Sequence, residues 1–170
     1  IVSRDWSSDV CSSDLRLIDV RREEDYSQGH IPNAVNLPLA SLLSGDSPES
    51  VVKLFEEMGI ADDTKVVVYD DTFGALASRV AWTLQYIGHN NVALLEVTYS
   101  QWRELGLKTS TEKPNIKPAK HSLNLNPNIL ATAEYLENAK ESDSVVLIDN
   151  RERLNFLEQH IPGSINIPYR

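Results

Sequence analysis

A single cysteine, Cys11, is all the thiol that 170 residues offer, and this scarcity excludes an intrachain disulfide framework. No apolar run approaches the roughly 18 residues that a membrane-spanning helix needs. No basic stretch interrupts the acidic background: 16 Lys and Arg stand against 25 Asp and Glu, a formal charge of -9. That balance argues against a nucleic-acid or anionic-membrane partner and leaves small molecules or proteins. The chain opens on Ile1 and lacks both a basic start and an apolar signal core, so a cytoplasmic address is the expectation. No Cys, His and Asp side chains stand together at metal-ligand spacing, so neither a metal nor another cofactor is expected.

What the chain does have is a 41% hydrophobic share, enough to build a core for one domain or for one domain plus part of another. It also repeats itself. At an offset of 130, "LIDVRREEDYSQGHIPNAVNLP" (17–38) aligns without gaps on "LIDNRERLNFLEQHIPGSINIP" (147–168), and nine of 22 positions are identical. The identities include Asp19/Asp149, Arg21/Arg151, His30/His160 and Asn36/Asn166. A period this long is too large for a solenoid unit and fits a duplicated domain. The second copy reaches only about its first third by Arg170, so the chain reads as one domain plus the start of another.

Within the first copy, "RLIDV" and "AVNLP" read as short buried strands, and "KVVVYD" (65–70) as a β-branched run buried on both faces of a parallel sheet. "SPESVVKLFEEMGI" predicts a helix capped by Ser47, with Pro48 at its first position and Gly59 as its stop. "GALASRVAWTLQYIGH" predicts another, with apolar residues at Leu76, Val80, Ala81, Leu84 and Ile87, followed by strand "NVALLE" and short helix "YSQWRELG". Trp82 and Trp102 fall on apolar helical faces and read as packing residues. Strands alternating with helices imply an α/β fold with a parallel sheet. Residues 110–124 lack periodicity and read as a linker. A second domain, 125–170, opens with helix "NPNILATAEYLENA" and strand "SVVLID".

Asp19 and Arg21, two apart at a strand end, point the same way and are expected to tie the following loop by a charge-assisted bond, as are Asp149 and Arg151. His30 and His160 each precede Ile-Pro. A metal or acid/base role is conceivable for them, and a loop histidine bonded to backbone is the favoured reading.

In order and spacing, these pieces resemble the rhodanese family, specifically its tandem thiosulfate and mercaptopyruvate sulfurtransferases. The pieces are Asp-x-Arg after the first strand, "GHIP", "DDTKVVVYD", Arg79 and Trp82 before "GH", and Trp102 before a proline-containing linker. The resemblance implies a rhodanese-like fold in which residues 16–109 form the first domain. It also implies a sulfane sulfur passing from a small-molecule donor to a thiophilic acceptor through a cysteine persulfide. Active members carry that cysteine at the end of the central strand, where a loop leads into a helix and amide dipoles converge on the sulfur. Here the loop is Asp70, Asp71, Thr72, Phe73, Gly74 and Ala75, with Asp70 at the cysteine position. A carboxylate accepts the same amide hydrogen bonds but forms no persulfide, so the first domain is expected to be non-catalytic. The nucleophile would then lie in the second copy, near a position equivalent to residue 200.

Cys11 is separated from Arg16 by four residues, imitating the Cys-x4-Arg loop of some rhodaneses, but it precedes the first strand and no helix follows it, so it is rejected as a nucleophile. Residues 5–15, "DWSSDVCSSDL", read as a translated sequencing-library adapter, which makes 1–15 an expected non-native flank. Several positions depart from the family. Val97-Thr98 replaces a glycine pair before the Trp102 helix, Gln159 replaces a glycine, and Asn155 replaces an arginine that helps bind the anionic donor. The competing reading is a non-catalytic rhodanese-like binding or regulatory module.

Overall fold

The computed structural model describes residues 15–139, 142 and 144–169. Two compact units divide between Pro127 and Asn128. In the first, a four-stranded sheet has the order β2-β1-β3-β4, with β1 Leu15–Asp19, β2 Ala34–Asn36, β3 Lys65–Tyr69 and β4 Val92–Leu94. All pairings are parallel, with Ile18 opposite both Val35 and Val68. Helices supply the crossovers, α1 Glu23–Gln28, α2 Leu39–Leu43, α3 Pro48–Glu57 and α4 Ala75–Tyr86, and α5 Tyr99–Glu104 follows the last strand.

The period-two alternation of the strands divides the core. Ile18, Val66 and Val68 face one layer with Phe55 of α3 and Val80 and Leu84 of α4. Leu17 and Tyr69 face the other, with Ile31, Ala34, Tyr99 and Trp102. Each large apolar side chain so buried contributes about 1.5–3 kcal/mol, more than a cap does, so the layers rather than the caps hold the helices in place. Trp102 is a core residue as expected, whereas Trp82 is only half-buried and stacks on Tyr86, 5.3 Å between ring centroids.

Local signals explain the helix starts. Ser47 caps α3 through a reciprocal box with Ser50, and Pro48 occupies the first turn, where its missing N–H costs nothing. At the Val97-Thr98 departure, Thr98 accepts from the Gln101 amide at 3.2 Å and the Gln101 side chain returns to the Thr98 amide at 2.9 Å. A capping box thus starts α5.

Three sequence expectations need adjustment. Leu15, placed in the flank, is the first residue of β1 and pairs with Lys65, because an apolar side chain suits a strand covered on both faces. The single helix expected from residue 126 is broken: a 3-10 turn, Pro127–Ile129, precedes α6, Ala133–Ala139, since Thr132 captures the Tyr135 amide at 3.0 Å and restarts the helix. Strand "SVVLID" shortens to β5 Ile148–Asp149, matched in length by its one partner, β6 Ile165–Asn166. Apart from Leu15, the expected non-native flank lies outside the described residues.

The stretch read as a linker is aperiodic and nonetheless tied down along the first unit. Ser110 exchanges two backbone hydrogen bonds with His30, and the Ala119, Asn124 and Asn126 amides donate to the carbonyls of Glu56, Ile87 and Tyr86. At Gly88, φ is +102° and a Cβ would lie 2.4 Å from the Asn124 carbonyl oxygen, so only glycine lets this strap pass. In the second unit, α7 Arg153–Glu158 lies between β5 and β6, and β5 and β6 pair in parallel with Asp149 opposite Asn166, the register of Asp19 and Asn36.

Candidate functional site

The loop between β3 and α4 is built around one carboxylate. Asp70 follows the last residue of β3, and the chain then turns through two left-handed residues, Phe73 (φ 54°) and Gly74 (φ 88°), into α4. This turn points successive amides inward. Asp70 Oδ1 accepts from the amides of Thr72 and Gly74, both at 2.9 Å. Oδ2 accepts from the Leu76 and Ala77 amides at 2.9 Å and from the Thr72 hydroxyl at 2.8 Å. The side chain is 2% exposed. Burial pushes its pKa up, but the hydrogen bonds from Ala77, Gly74 and Thr72 outweigh burial and hold it below the ordinary carboxylate value. The group is therefore an anion surrounded by hydrogen-bond donors.

The rest of the loop is positioned by its neighbours. Exposed Asp71 accepts from the Ser100 amide at 2.9 Å and the Ser100 hydroxyl at 2.7 Å, tying the loop to α5. Phe73 is exposed at the tip, and Ala75 opens α4. Beside the loop lies a cavity of ≈ 670 Å³ bordered by Arg21, Arg22, Asp71, Tyr99 and Arg103.

Asp19 and Arg21 form the bidentate pair their spacing predicts. Arg21 Nη2 donates to Asp19 Oδ2 at 2.6 Å and Nε to Oδ1 at 3.0 Å, while Nη2 also reaches the Gly29 carbonyl at 2.7 Å. The Tyr99 ring covers the guanidinium at 3.7 Å. Burial lowers the arginine pKa, but the hydrogen bond and charge of Asp19 more than offset this and leave it raised. Asn36 completes the corner by donating to the Asp19 and Arg21 carbonyls.

His30 is fully buried and stacked on Tyr26, with ring nitrogens 2.9 Å from the Tyr26 carbonyl and 3.1 Å from that of Glu112. It is a loop histidine bound to backbone, the favoured expectation. The second unit repeats these contacts. Arg151 Nη2 lies 2.6 Å from Asp149 Oδ2 and 2.6 Å from the Gln159 carbonyl, and His160 lies 2.7 Å from the Phe156 carbonyl. Gln159 replaces glycine without loss because its backbone oxygen makes the contact. Within the first unit, the carboxylate of Asp70 is held by amides and the Thr72 hydroxyl rather than by Arg21. Cys11 lies outside the described residues.

Sequence reasoning missed the Ser100 clasp on Asp71, the Tyr99 cover on Arg21, and a buried pair of histidines, His89 and His121. No local pattern announces any of these, because the partners lie 29 to 78 positions apart.

The model of the rhodanese-like domain matches residues 5–105 and again 132–170. The chain belongs to the rhodanese family. Thiosulfate sulfurtransferase of Rattus norvegicus is 26% identical over 204 residues, covering 99% of this chain and 69% of that protein. The 3-mercaptopyruvate sulfurtransferase of Mus musculus is 29% identical over 172 residues, covering 89% of this chain and 57% of that protein. Among solved structures, SseA from Escherichia coli, described as a 3-mercaptopyruvate sulfotransferase, superposes with a TM-score of 0.84 at 23% identity, covering 95% of this chain and 71% of that one. The rhodanese chain thus spans 57% to 69% of the length of these two curated relatives. Among the described residues no helix is long and apolar enough to cross a membrane.

The cradle sets a pH dependence. With the folded-state pKa of Asp70 depressed, the unfolded rhodanese chain binds more protons as pH falls through the unfolded aspartate value of about 3.9. The stabilisation is complete above that value and is lost below it. Urea melts from about pH 7 to pH 3 are expected to show a stability decline below about pH 4 that is shallower in Asp70→Asn. Identical slopes for the two chains would refute the assignment.

Proposed function

We propose that this chain is the first domain and the opening of the second of a tandem sulfurtransferase, and that its first domain is non-catalytic. The observation that carries the reading is the cradle closed on Asp70: five donors converge where the family places a reactive sulfur, and a carboxylate already holds them. A carboxylate has no thiolate to attack sulfane sulfur, so the first domain organises an anion without exchanging one.

The second unit supports the location of the missing chemistry. Ile148, Ile161 and Ile167 are about half exposed, 54%, 55% and 54%, whereas their repeat equivalents Ile18, Ile31 and Leu37 are at most 2% exposed. In the first unit β3 and the helices flanking it cover those positions. Their counterparts in a second domain would supply the nucleophile. A thiolate there attacks the outer sulfur of thiosulfate, the S–S bond breaks and sulfite leaves. The persulfide then yields its sulfur to a thiophilic acceptor. With mercaptopyruvate as the alternative donor, the thiolate attacks its sulfur, the C–S bond breaks, and pyruvate leaves as an enolate that takes up a proton.

The 170-residue chain is expected to produce no thiocyanate from thiosulfate and cyanide, or from mercaptopyruvate and cyanide. Turnover that vanishes in Cys11→Ser would overturn the reading. Recovering the complete gene separates this proposal from a binding module: a strand running into cysteine near the equivalent of residue 200 supports the enzyme, and another carboxylate there supports the module.

A further inference from the structure

We propose that His89 and His121 form a one-proton latch that holds the strap, residues 110–126, against the first unit and releases it when both rings are charged. The two side chains come from opposite sides of that contact. His89 follows Gly88 just beyond the end of α4, where its amide donates to the Leu84 carbonyl at 2.8 Å; His121 belongs to the strap. Both are buried, and His89 Nδ1 lies 3.1 Å from His121 Nε2. At that separation one hydrogen sits between the nitrogens, donated by one ring and accepted by the lone pair of the other.

Counting protons fixes the capacity of the pair. Two neutral rings carry two hydrogens, one in the shared bond and one on an outer nitrogen, His89 Nε2 or His121 Nδ1. Neither outer atom makes a full hydrogen bond, although the backbone of Thr64 and Asn91 lies beside the His89 ring and favours a proton on it. One further proton fills the second outer position. The resulting charge is met by Asp62, whose Oδ1 is 3.8 Å from His121 Nδ1. A second proton has only the shared site left to enter. Two N–H groups would then face each other across 3.1 Å, with two positive charges in contact, and the rings must part.

The surroundings decide which side moves. Asp62, from the loop between α3 and β3, also binds the Ser122 amide at 2.7 Å and hydroxyl at 2.9 Å, and Glu56 of α3 accepts the His121 amide at 3.0 Å. Lys120 is the nearest cation along the strap and is exposed. One added charge is therefore neutralised by Asp62, the single carboxylate that acts on both rings among the described residues, so a second charge would share it. Burial of the His89 ring, and then the neighbouring His121, hold its pKa below the ordinary histidine value, which delays the second proton. His89 is anchored on the body of the unit beside α4, whereas residues 111–126 form no helix or strand of their own and are held by bonds to other segments, so the strap yields.

Amide exchange on the full 170-residue chain tests this. The reporters are the Asn124 and Asn126 amides, which donate to the Ile87 and Tyr86 backbone carbonyls and so do not depend on a titrating acceptor. Between about pH 7.5 and about pH 5, corrected for intrinsic exchange, their protection is expected to fall about ten-fold while the 65–69 strand holds. In His89→Gln, where a second ring charge cannot form, the loss is expected to disappear. The same loss in His89→Gln, or no loss in the parent chain, overturns the latch. Should His89→Gln not fold, ring nitrogen shifts of the parent chain decide. Both buried rings becoming doubly protonated while Asn124 and Asn126 stay protected is the refuting result. The second proton arriving together with loss of protection supports it.

Discussion

Asp70→Cys, made in a Cys11→Ser background, is expected to take up one sulfane sulfur per chain from thiosulfate, visible as a mass gain that cyanide reverses. The argument is geometric. The amides of Thr72, Gly74, Leu76 and Ala77 already converge on the carboxylate oxygens at 2.9 Å, and they stay in place when the side chain changes. A cysteine sulfur stands where the carboxyl carbon stands now, one bond short of those oxygens. The outer sulfur of a persulfide reaches the oxygen positions. Four aligned N–H groups at a helix entrance lower the thiol pKa and then stabilise the persulfide anion. The substitution weakens charge-assisted hydrogen bonds and should destabilise the unit by about 2 kcal/mol, which a marginally stable domain survives. Asp70→Ala in the same background should take up no sulfur. A folded Asp70→Cys chain with no mass gain would show that the cradle is shaped for oxygen alone.

Asp19→Ala should cost about 3–5 kcal/mol, because it strands the Arg21 guanidinium in a site where that group is 9% exposed. Asp149→Ala, the same change in the repeat, should barely move the urea midpoint. The two pairs share their geometry to within a tenth of an ångström, yet Arg151 is 49% exposed and water screens it. Burial therefore separates the outcomes, and the internal repeat controls for everything local. Arg21→Met added to Asp19→Ala should recover much of the loss by removing the unpaired charge. Equal shifts from Asp19→Ala and Asp149→Ala would refute the burial argument.

Much of the first unit was legible in advance. β3 and α4 carry dense or periodic apolar residues, and α3 carries its own cap and stop, so each element could be read from a window of a dozen residues. The helices α1 and α2 escaped notice for the same reason. With Tyr26 the only buried residue of α1 and Leu42 the only buried one of α2, they have no periodic stripe to read. The linker was legible only as a segment without pattern. Its bonds go to carbonyls and carboxylates of α3, α4 and the loop before β3, and acceptors of that kind leave no trace in the strap's own composition.

The candidate site divides in the same way. Asp70 could be placed by its position after the central strand, and the Asp19 and Arg21 pair by a spacing that aims both side chains alike. That Tyr99 roofs Arg21, and that His121 meets His89, depends on chain segments that reach these residues only after folding.

By itself the sequence determined the alternation of strands and helices, the duplicated Asp-x-Arg corner and the carboxylate at the loop, since side-chain spacing and residue chemistry act over a few positions. Only the tertiary structure decided how deeply each copy of that corner is buried, which amides close on Asp70, and where the strap is held. Those outcomes rest on solvent exclusion by residues far away in the chain, and local pattern carries no record of what will pack above it.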